Sequence, residues 1–551
     1  MSYQGYTMPP PSGGLDLVTP IDNMEPQTAL ELTNIFPGAG APTVRLGYTT
    51  FTTSGATIPT TPIRFMHEYP LKGGTAQLIA GTDAKLYSIS SLGVVTDITR
   101  AAGAYSAGNW NKELFAGNIY LCNGTDAPQV YTGTGVAIDI YASGVTGGLT
   151  TLAQVASYRE RLYFAQKNTC LMWYHTGAGS IRDTFATGPA VGLGSYDFSY
   201  VFRRGGFLSF IGSYTNTKGV STQDLFMAVS SEGEVVLYSG ASPDDTAWTL
   251  VAHFVIGKPL GRKAFVRVNQ DVWIITQQGI IPVSALFETD PEQALNIVSL
   301  RVNPLITQYA TQASSAELWG GFFWPQGRRV YITLPDSASS ATLLVYSLDT
   351  KAWTQFVLFN GEHAVASCKY LNLPFYGSNT GAIYQGETGY ADAVTSTTSQ
   401  SITFSCRTAF SFYGARGNYK AFKDIRPLLK GKRGVTLNLG LDTDFKRQAV
   451  LTQVTTPAAT FTAWGARWGS DGVARTAFIY PGDVPPVAPS PATITVPVYF
   501  QPWSADVEYI YDRYAIAGQG HSAAIRVGGS IKNSSLQFLG FEIRYDLGGQ
   551  V

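Results

Sequence analysis

Five histidines, four cysteines and two short carboxylate clusters are the residues of this chain whose types could do chemistry. His67, His175, His253, His363 and His521 stand far apart, and none falls in HExxH or another close pair of the kind a zinc ion needs. Asp244-Asp245 and Asp442-Thr443-Asp444 bring carboxylates together, as acid–base hydrolysis of a glycoside would require. Both sit in turn-like contexts, where Asp bonds its own backbone. The stretch DTDFK also lacks the spaced ligands and terminal Glu of an EF-hand loop. No G-x-x-x-x-G-K-S/T loop and no G-x-S-x-G elbow occurs. The sequence therefore predicts no catalytic, cofactor-binding or metal-ligating residue, and a non-enzymatic protein. Cys122, Cys170, Cys368 and Cys406 have no C-x-x-C spacing and read as buried free thiols. Pairing stays open at the level of sequence.

Two basic clusters are the other candidates: Arg203-Arg204, followed by two glycines, and Lys430-Gly431-Lys432-Arg433 between two strand-like runs. Arg203, Arg204, Lys430, Lys432 and Arg433 suit an acidic partner surface or DNA phosphates. The competing reading is a solvated hairpin tip. Neither cluster has the aromatic interleaving of a single-strand platform. The chain as a whole has 38 basic and 38 acidic residues, which excludes a generally basic, non-specific nucleic-acid binder. Only 14% of residues are charged, well below the usual quarter. Weak repulsion between copies suits a subunit of a larger assembly.

The elements that must carry these residues read as all-β. The 31 Tyr, 29 Phe and 10 Trp favour half-buried strands, and 58 Gly with 29 Pro supply turns. Seven segments repeat one pattern, an apolar strand, a turn and a second strand. They are 79–88, 114–123, 158–165, 225–239, 272–283, 328–334 and 374–385, mostly near the 40–50-residue spacing of propeller blades. A lone hairpin is marginal in water. Several small sheets stacked about an axis bury both faces of each. The expectation is a β-propeller of six or seven blades over residues 61–392; unrelated hairpins in a sandwich are the alternative. Residues 1–60 read as an extended, irregular N-terminal arm making ring or adaptor contacts, and 393–551 as a second, sandwich-like β region. Its Pro-rich stretch 481–502 cannot lie in a central strand, so it is an exposed loop or an arm reaching a neighbour. One helix is expected, with Asn303 as N-cap, Pro304 at its first position, and Leu305, Ile306, Tyr309 and Ala310 on one face. The N-terminus lacks the basic and apolar regions of a signal peptide. No apolar run approaches the roughly 20 residues of a membrane span, so no membrane insertion is expected.

Several segments resemble the tail nozzle (tail hub) family of short-tailed bacteriophages, the podoviruses, also described as packaged-DNA stabilisation proteins. The family opening, GGL, then P-x-x-A-x-x-L-x-N, then R-x-G, is matched by Gly13-Gly14-Leu15, Pro26, Ala29, Leu32, Asn34, Arg45 and Gly47. The family's N-G-x-D-x-P-x-x-Y-x-G segment is matched by Asn123, Gly124, Asp126, Pro128, Tyr131 and Gly133. RERLYF is similar to its E-R-L-Y/W-F piece, and residues 205–284 carry GGFLSFIG, GEVVLYSG and IGKPLG in order. SPDD departs from the plainer Gly-x-Asp-Pro turn. The resemblance spans residues 10–290. It implies a homohexameric ring below the head-to-tail adaptor and portal, in the virion tail, assembled in the bacterial cytoplasm. Such a ring lines and gates the exit channel for double-stranded DNA and anchors fibres or spikes, without a cofactor. A carbohydrate-binding or carbohydrate-cleaving propeller, and a tail fibre or receptor-binding protein, are the alternatives.

Overall fold

The computed structural model describes residues 4–176, 191–216, 223–287, 297–312, 318–432, 435–447, 452–455 and 508–550, apart from 338, 360, 394, 396 and 397. The Pro-rich stretch 481–502 and Arg433 lie outside the described residues.

Alternation in the seven hairpin segments builds seven small antiparallel sheets in chain order, arranged as a β-propeller. Blade 1 holds Phe65–Tyr69, Gln77–Gly81, Leu86–Ile89 and Val94–Asp97, with Ser54–Gly55 parallel on its outer edge. Blade 2 runs from Asn111–Phe115 to Ile138–Asp139, and blade 3 from Leu152–Tyr158 to Val191–Asp197. Blade 4 runs from Leu208–Asn216 to Thr249–Val255, and blade 6 from Gly320–Trp324 to Trp353–Phe356. Blade 5 has only three strands, Phe265–Val268, Asp271–Thr276 and Gly279–Pro282. Its open edge is capped where Val298 N donates to Ile280 O (3.0 Å) and Ile280 N donates to Ser299 Oγ (2.8 Å). Blade 7 has three sequential strands, Ala364–Tyr370, Leu373–Ser378 and Ile383–Gly386. Its fourth, Tyr48–Thr50, comes from the N-terminal segment and closes the ring.

Each pair of neighbouring blades closes over its own apolar layer. Trp110, Ile119 and Tyr69 fill the gap between blades 1 and 2, and Tyr163, Phe226 and Tyr238 that between blades 3 and 4. Blade 7 returns to blade 1 through Ile63, Tyr87, Tyr370 and Phe375. Propeller sheets have no other way to bury both faces. Of the cysteines, Cys122, Cys368 and Cys406 are buried, Cys170 is only half-buried, and all four are free thiols.

The C-terminal region is a sandwich. One sheet carries Asn418–Gly431 and Leu536–Gln550 at its centre. The other continues blade 6: Trp353–Phe356 pairs with Thr28–Thr33, which pairs with Ile402–Thr408, then Ala523–Ile531 and Thr436–Thr443. Phe404, Leu439, Ile525 and Val527 face Ile425, Phe538, Phe541 and Ile543 in a shared core. Pro427 sits inside a central strand without breaking it. Its far-side pairing jumps from Ile425↔Tyr514 to Leu429↔Ile510, so the missing N–H falls in a gap between two neighbours.

The first 60 residues, expected as an irregular arm, are woven through both halves as short strands. Gln4–Met8 pairs with Leu536–Gln550, Gln4 standing opposite Tyr545. Thr28–Thr33 joins blade 6 to the sandwich. At that joint lies a buried polar knot. Asn34, in the left-handed region at φ 57°, donates from Nδ2 to the carbonyls of Val357 (3.1 Å) and Thr403 (2.7 Å). Its Oδ1 accepts from Val357 N and from Arg45 Nε, both at 2.9 Å. The Arg45 guanidinium then grips Asp392 through two bonds of 2.7 and 2.6 Å, with both side chains buried. Gly47 passes so close to Ala391 that a Cβ would lie 1.8 Å from its carbonyl oxygen.

Helix Asn303–Gln312 forms, with Ile306 buried and Leu305, Tyr309 and Ala310 packed on the core. Asn303 does not cap it. It has helical angles (φ −55°, ψ −40°), and its side chain instead accepts from Ser299 Oγ and donates to Gln278 O. Among the described residues no helix is long and apolar enough to cross a membrane.

Candidate functional site

A propeller brings the first strand of every blade to its axis, and here all seven innermost strands border one central cavity of about 450 Å³. Sequence neighbours on one strand then matter less than residues at one level on different blades. His67 and Glu68 come from blade 1, Lys112 and Glu113 from blade 2, Arg267 from blade 5 and Lys369 from blade 7. Arg64 and Lys263 also line the cavity. Apolar wall is supplied by Val155, Ile211, Phe322 and Phe323. Gln154 rivets blade 3 to blade 4 by accepting from Ile211 N (2.8 Å) and donating to Ile211 O (2.9 Å).

Five basic residues against two acidic ones make this lining electropositive. Both carboxylates are engaged. Glu68 pairs with Lys369 at 3.3 Å and accepts from Leu371 N at 3.2 Å, while Glu113 accepts from Ser157 Oγ at 2.6 Å. Arg64 turns to Asp83 at 3.1 Å. Burial, aided by Lys112 and Lys369, holds His67 well below the usual histidine range. Burial also lowers Lys112, Arg267 adding to the effect and Glu113 opposing it. At neutral pH His67 is therefore an uncharged ring between cations.

That fixes a sign. His67 takes up its proton in the unfolded chain near pH 6.5 but resists it when folded, so its contribution is complete above pH 6.5 and is lost as pH falls below it. Stability should drop by up to about 1.4 kcal/mol per pH unit from this group. His67→Gln should flatten that part of the slope in urea midpoints measured at pH 7.5, 6 and 5. Parallel slopes for parent and variant would refute the assignment.

The basic clusters read from sequence lie elsewhere and are not brought together. Arg203 and Arg204 are exposed on the loop leading into blade 4. Their backbone N–H groups, not their side chains, have the visible task of donating to Glu234 Oε1 and Oε2 at 2.8 and 2.9 Å. Glu234 is fully buried and also meets His253 Nε2 at 3.0 Å. Lys430 and exposed Lys432 are at the end of a sandwich strand. Lys430 does have aromatic company, contrary to the sequence reading. Its ammonium is 5.7 Å from the Tyr509 ring centre, Tyr509 stacks on Tyr511 at 5.9 Å, and Arg426 covers Tyr511 at 5.2 Å. Those tyrosines are about eighty residues away in sequence, and only the pairing of Lys430 with Tyr509 unites them. Asp244 accepts from Tyr174 Oη (2.9 Å), and Asp245 caps its own turn through Ala241 N and Ala247 N. Asp442 is buried against Arg407 and Arg526. Among the described residues no three His, Cys, Asp or Glu side chains gather as a metal ion would need.

These features define a β-propeller joined to a β-sandwich, with a basic cavity on the propeller axis. No family model and no curated protein matches the chain. Solved structures similar to it include a streptogramin B lyase (10% identity, TM-score 0.37, 62% of this chain and 97% of that one). A virginiamycin B lyase from Staphylococcus aureus is also similar (9%, 0.37, 59% and 94%), as is YCF48 from Cyanidioschyzon merolae (10%, 0.37, 62% and 98%). Likeness at this level carries no argument about activity, and the propeller rests on its own strand pairing.

Proposed function

We propose that this chain is a structural subunit of a short-tailed phage tail nozzle, a hexameric ring that conducts and retains DNA below the adaptor and carries fibres or spikes. The observation that carries the reading is the employment of the family-like residues. Asn34, Arg45 and Gly47 make the joint between propeller and sandwich. Asn123 ties its own turn by accepting from Thr125 N and Asp126 N, and Asp126 pairs with Arg100 at 3.1 Å. Gly124 turns at φ 70° with Ala153 against it. The family-like Asn34, Arg45, Asn123 and Asp126 are thus spent on holding the wall together, as a mechanical part requires. A closed ring needs two different patches on each copy. Exposed Arg203, Arg204 and Lys432 are the candidates for an acidic partner or DNA phosphates.

The test is assembly. Negative-stain electron microscopy and mass photometry of the purified chain, alone and with its virion, should give six-fold rings. A monomer at assembly concentrations, together with one copy rather than six per particle, would defeat the proposal.

A further inference from the structure

We propose that the centre of the propeller binds a small polyvalent oxyanion, a molecule bearing two or more phosphate or carboxylate groups. This does not depend on the nozzle reading. Four cationic or protonatable groups from four blades, His67, Lys112, Arg267 and Lys369, converge on one cavity. They are close enough for Lys112 and Lys369 both to disfavour a proton on His67, and for Arg267 to disfavour one on Lys112. The two lining carboxylates are already occupied by Lys369, Leu371 N and Ser157. Among the described residues, Lys112 and Arg267 form neither an ion pair nor a side-chain hydrogen bond. Lys112 is half-buried and Arg267 exposed, and a multivalent anion can engage both, with Lys369, through several charge-assisted contacts at once.

The shape agrees. About 450 Å³ lies within the range of roughly 300–1,000 Å³ typical of small-molecule sites. It admits a metabolite-sized molecule. The groups stand on strands braced by the inter-blade layers, so the site needs little ordering on binding. Arg267 offers a planar fork to an oxyanion, Lys112 and Lys369 offer compact charges, and neutral His67 can donate to or accept from a hydroxyl.

The experiment uses the full chain with pyrophosphate and citrate as probes, and with acetate as a control bearing one charged group. Isothermal titration should show saturable one-to-one binding of at least one probe, the tighter one identifying phosphate or carboxylate as the preferred group, and far weaker binding of acetate. Lys112→Met and Arg267→Gln should each weaken it at least tenfold, while Arg203→Ala leaves it unchanged. Because each removes an unpaired cation, both should melt at or above the parent temperature. Hydrogen exchange on the parent protein provides a readout that survives misfolding of a variant. Saturating probe should slow exchange in 65–69, 111–115, 265–268 and 364–370. Absence of saturable binding, equal affinity in both variants, or protection confined to 203–206 and 430–432 would overturn the proposal.

Discussion

Arg45→Ala is expected to cost about 3–5 kcal/mol of unfolding free energy, the usual result of stranding one partner of a buried ion pair. Asp392 would be left buried with no counterion, and Asn34 would lose one of the two donors at its Oδ1. Because Asn34 also holds Val357 and Thr403, the damage reaches blade 6 and the sandwich together. Replacing both partners, as Arg45→Met with Asp392→Leu, should cost less than Arg45→Ala alone, since no charge is then left buried. Urea denaturation of the two single variants and the double variant completes the cycle. If Arg45→Ala shifts the midpoint by less than about 1 kcal/mol, the scale of a surface pair, the knot is not what holds the joint.

Deleting residues 1–50 should abolish folding altogether. The deletion strips the outer strand from blade 7 and removes Thr28–Thr33 from between Trp353–Phe356 and Ile402–Thr408. It also takes away buried Met8, Leu32, Ile35, Phe36 and Tyr48. Each such large side chain contributes about 1.5–3 kcal/mol by burial. Together the five amount to about 7.5–15 kcal/mol, comparable with the whole net 5–15 kcal/mol that typically separates folded from unfolded domains. Far-UV circular dichroism and gel filtration should find the truncated chain unfolded or aggregated. A cooperative melt within a few degrees of the parent would mean the segment is a peripheral arm after all.

The propeller was legible because each blade carries its signal locally. All seven hairpin segments, from 79–88 to 374–385, fall one to a blade. What escaped was long-range. Tyr48–Thr50 is three residues long and finds its partner at Ile383–Gly386, so neither period nor length marks it as a strand. Gly14–Leu15, Ile35–Phe36 and Thr43–Val44 are shorter still, and their Pro and Gly neighbours read as irregular chain. Asn34 and Arg45 were visible as motif positions, while Asp392, which gives Arg45 its purpose, was not. The axial cavity was invisible for a related reason. Lys112, Arg267 and Lys369 are solitary basic residues on separate strands, and only closure of the ring makes them neighbours. The two adjacent basic runs that stood out in sequence owe their prominence to one-dimensional proximity.

Gln4 hydrogen-bonds beside Tyr545, and that register has a temporal meaning. Gln4–Met8 leaves the ribosome long before Leu536–Gln550, so it must wait, unpartnered, until that strand has been made. Blades 1 to 6 can assemble as they emerge and the ring can lock once Ile383–Gly386 is available to Tyr48–Thr50, but the sandwich cannot zip until Leu536–Gln550 has been made. A nascent chain stalled before Leu536–Gln550 would leave the apolar edge of Asn418–Gly431 unpaired. Cells making this protein in quantity therefore face their greatest aggregation hazard while Asn418–Gly431 awaits Leu536–Gln550.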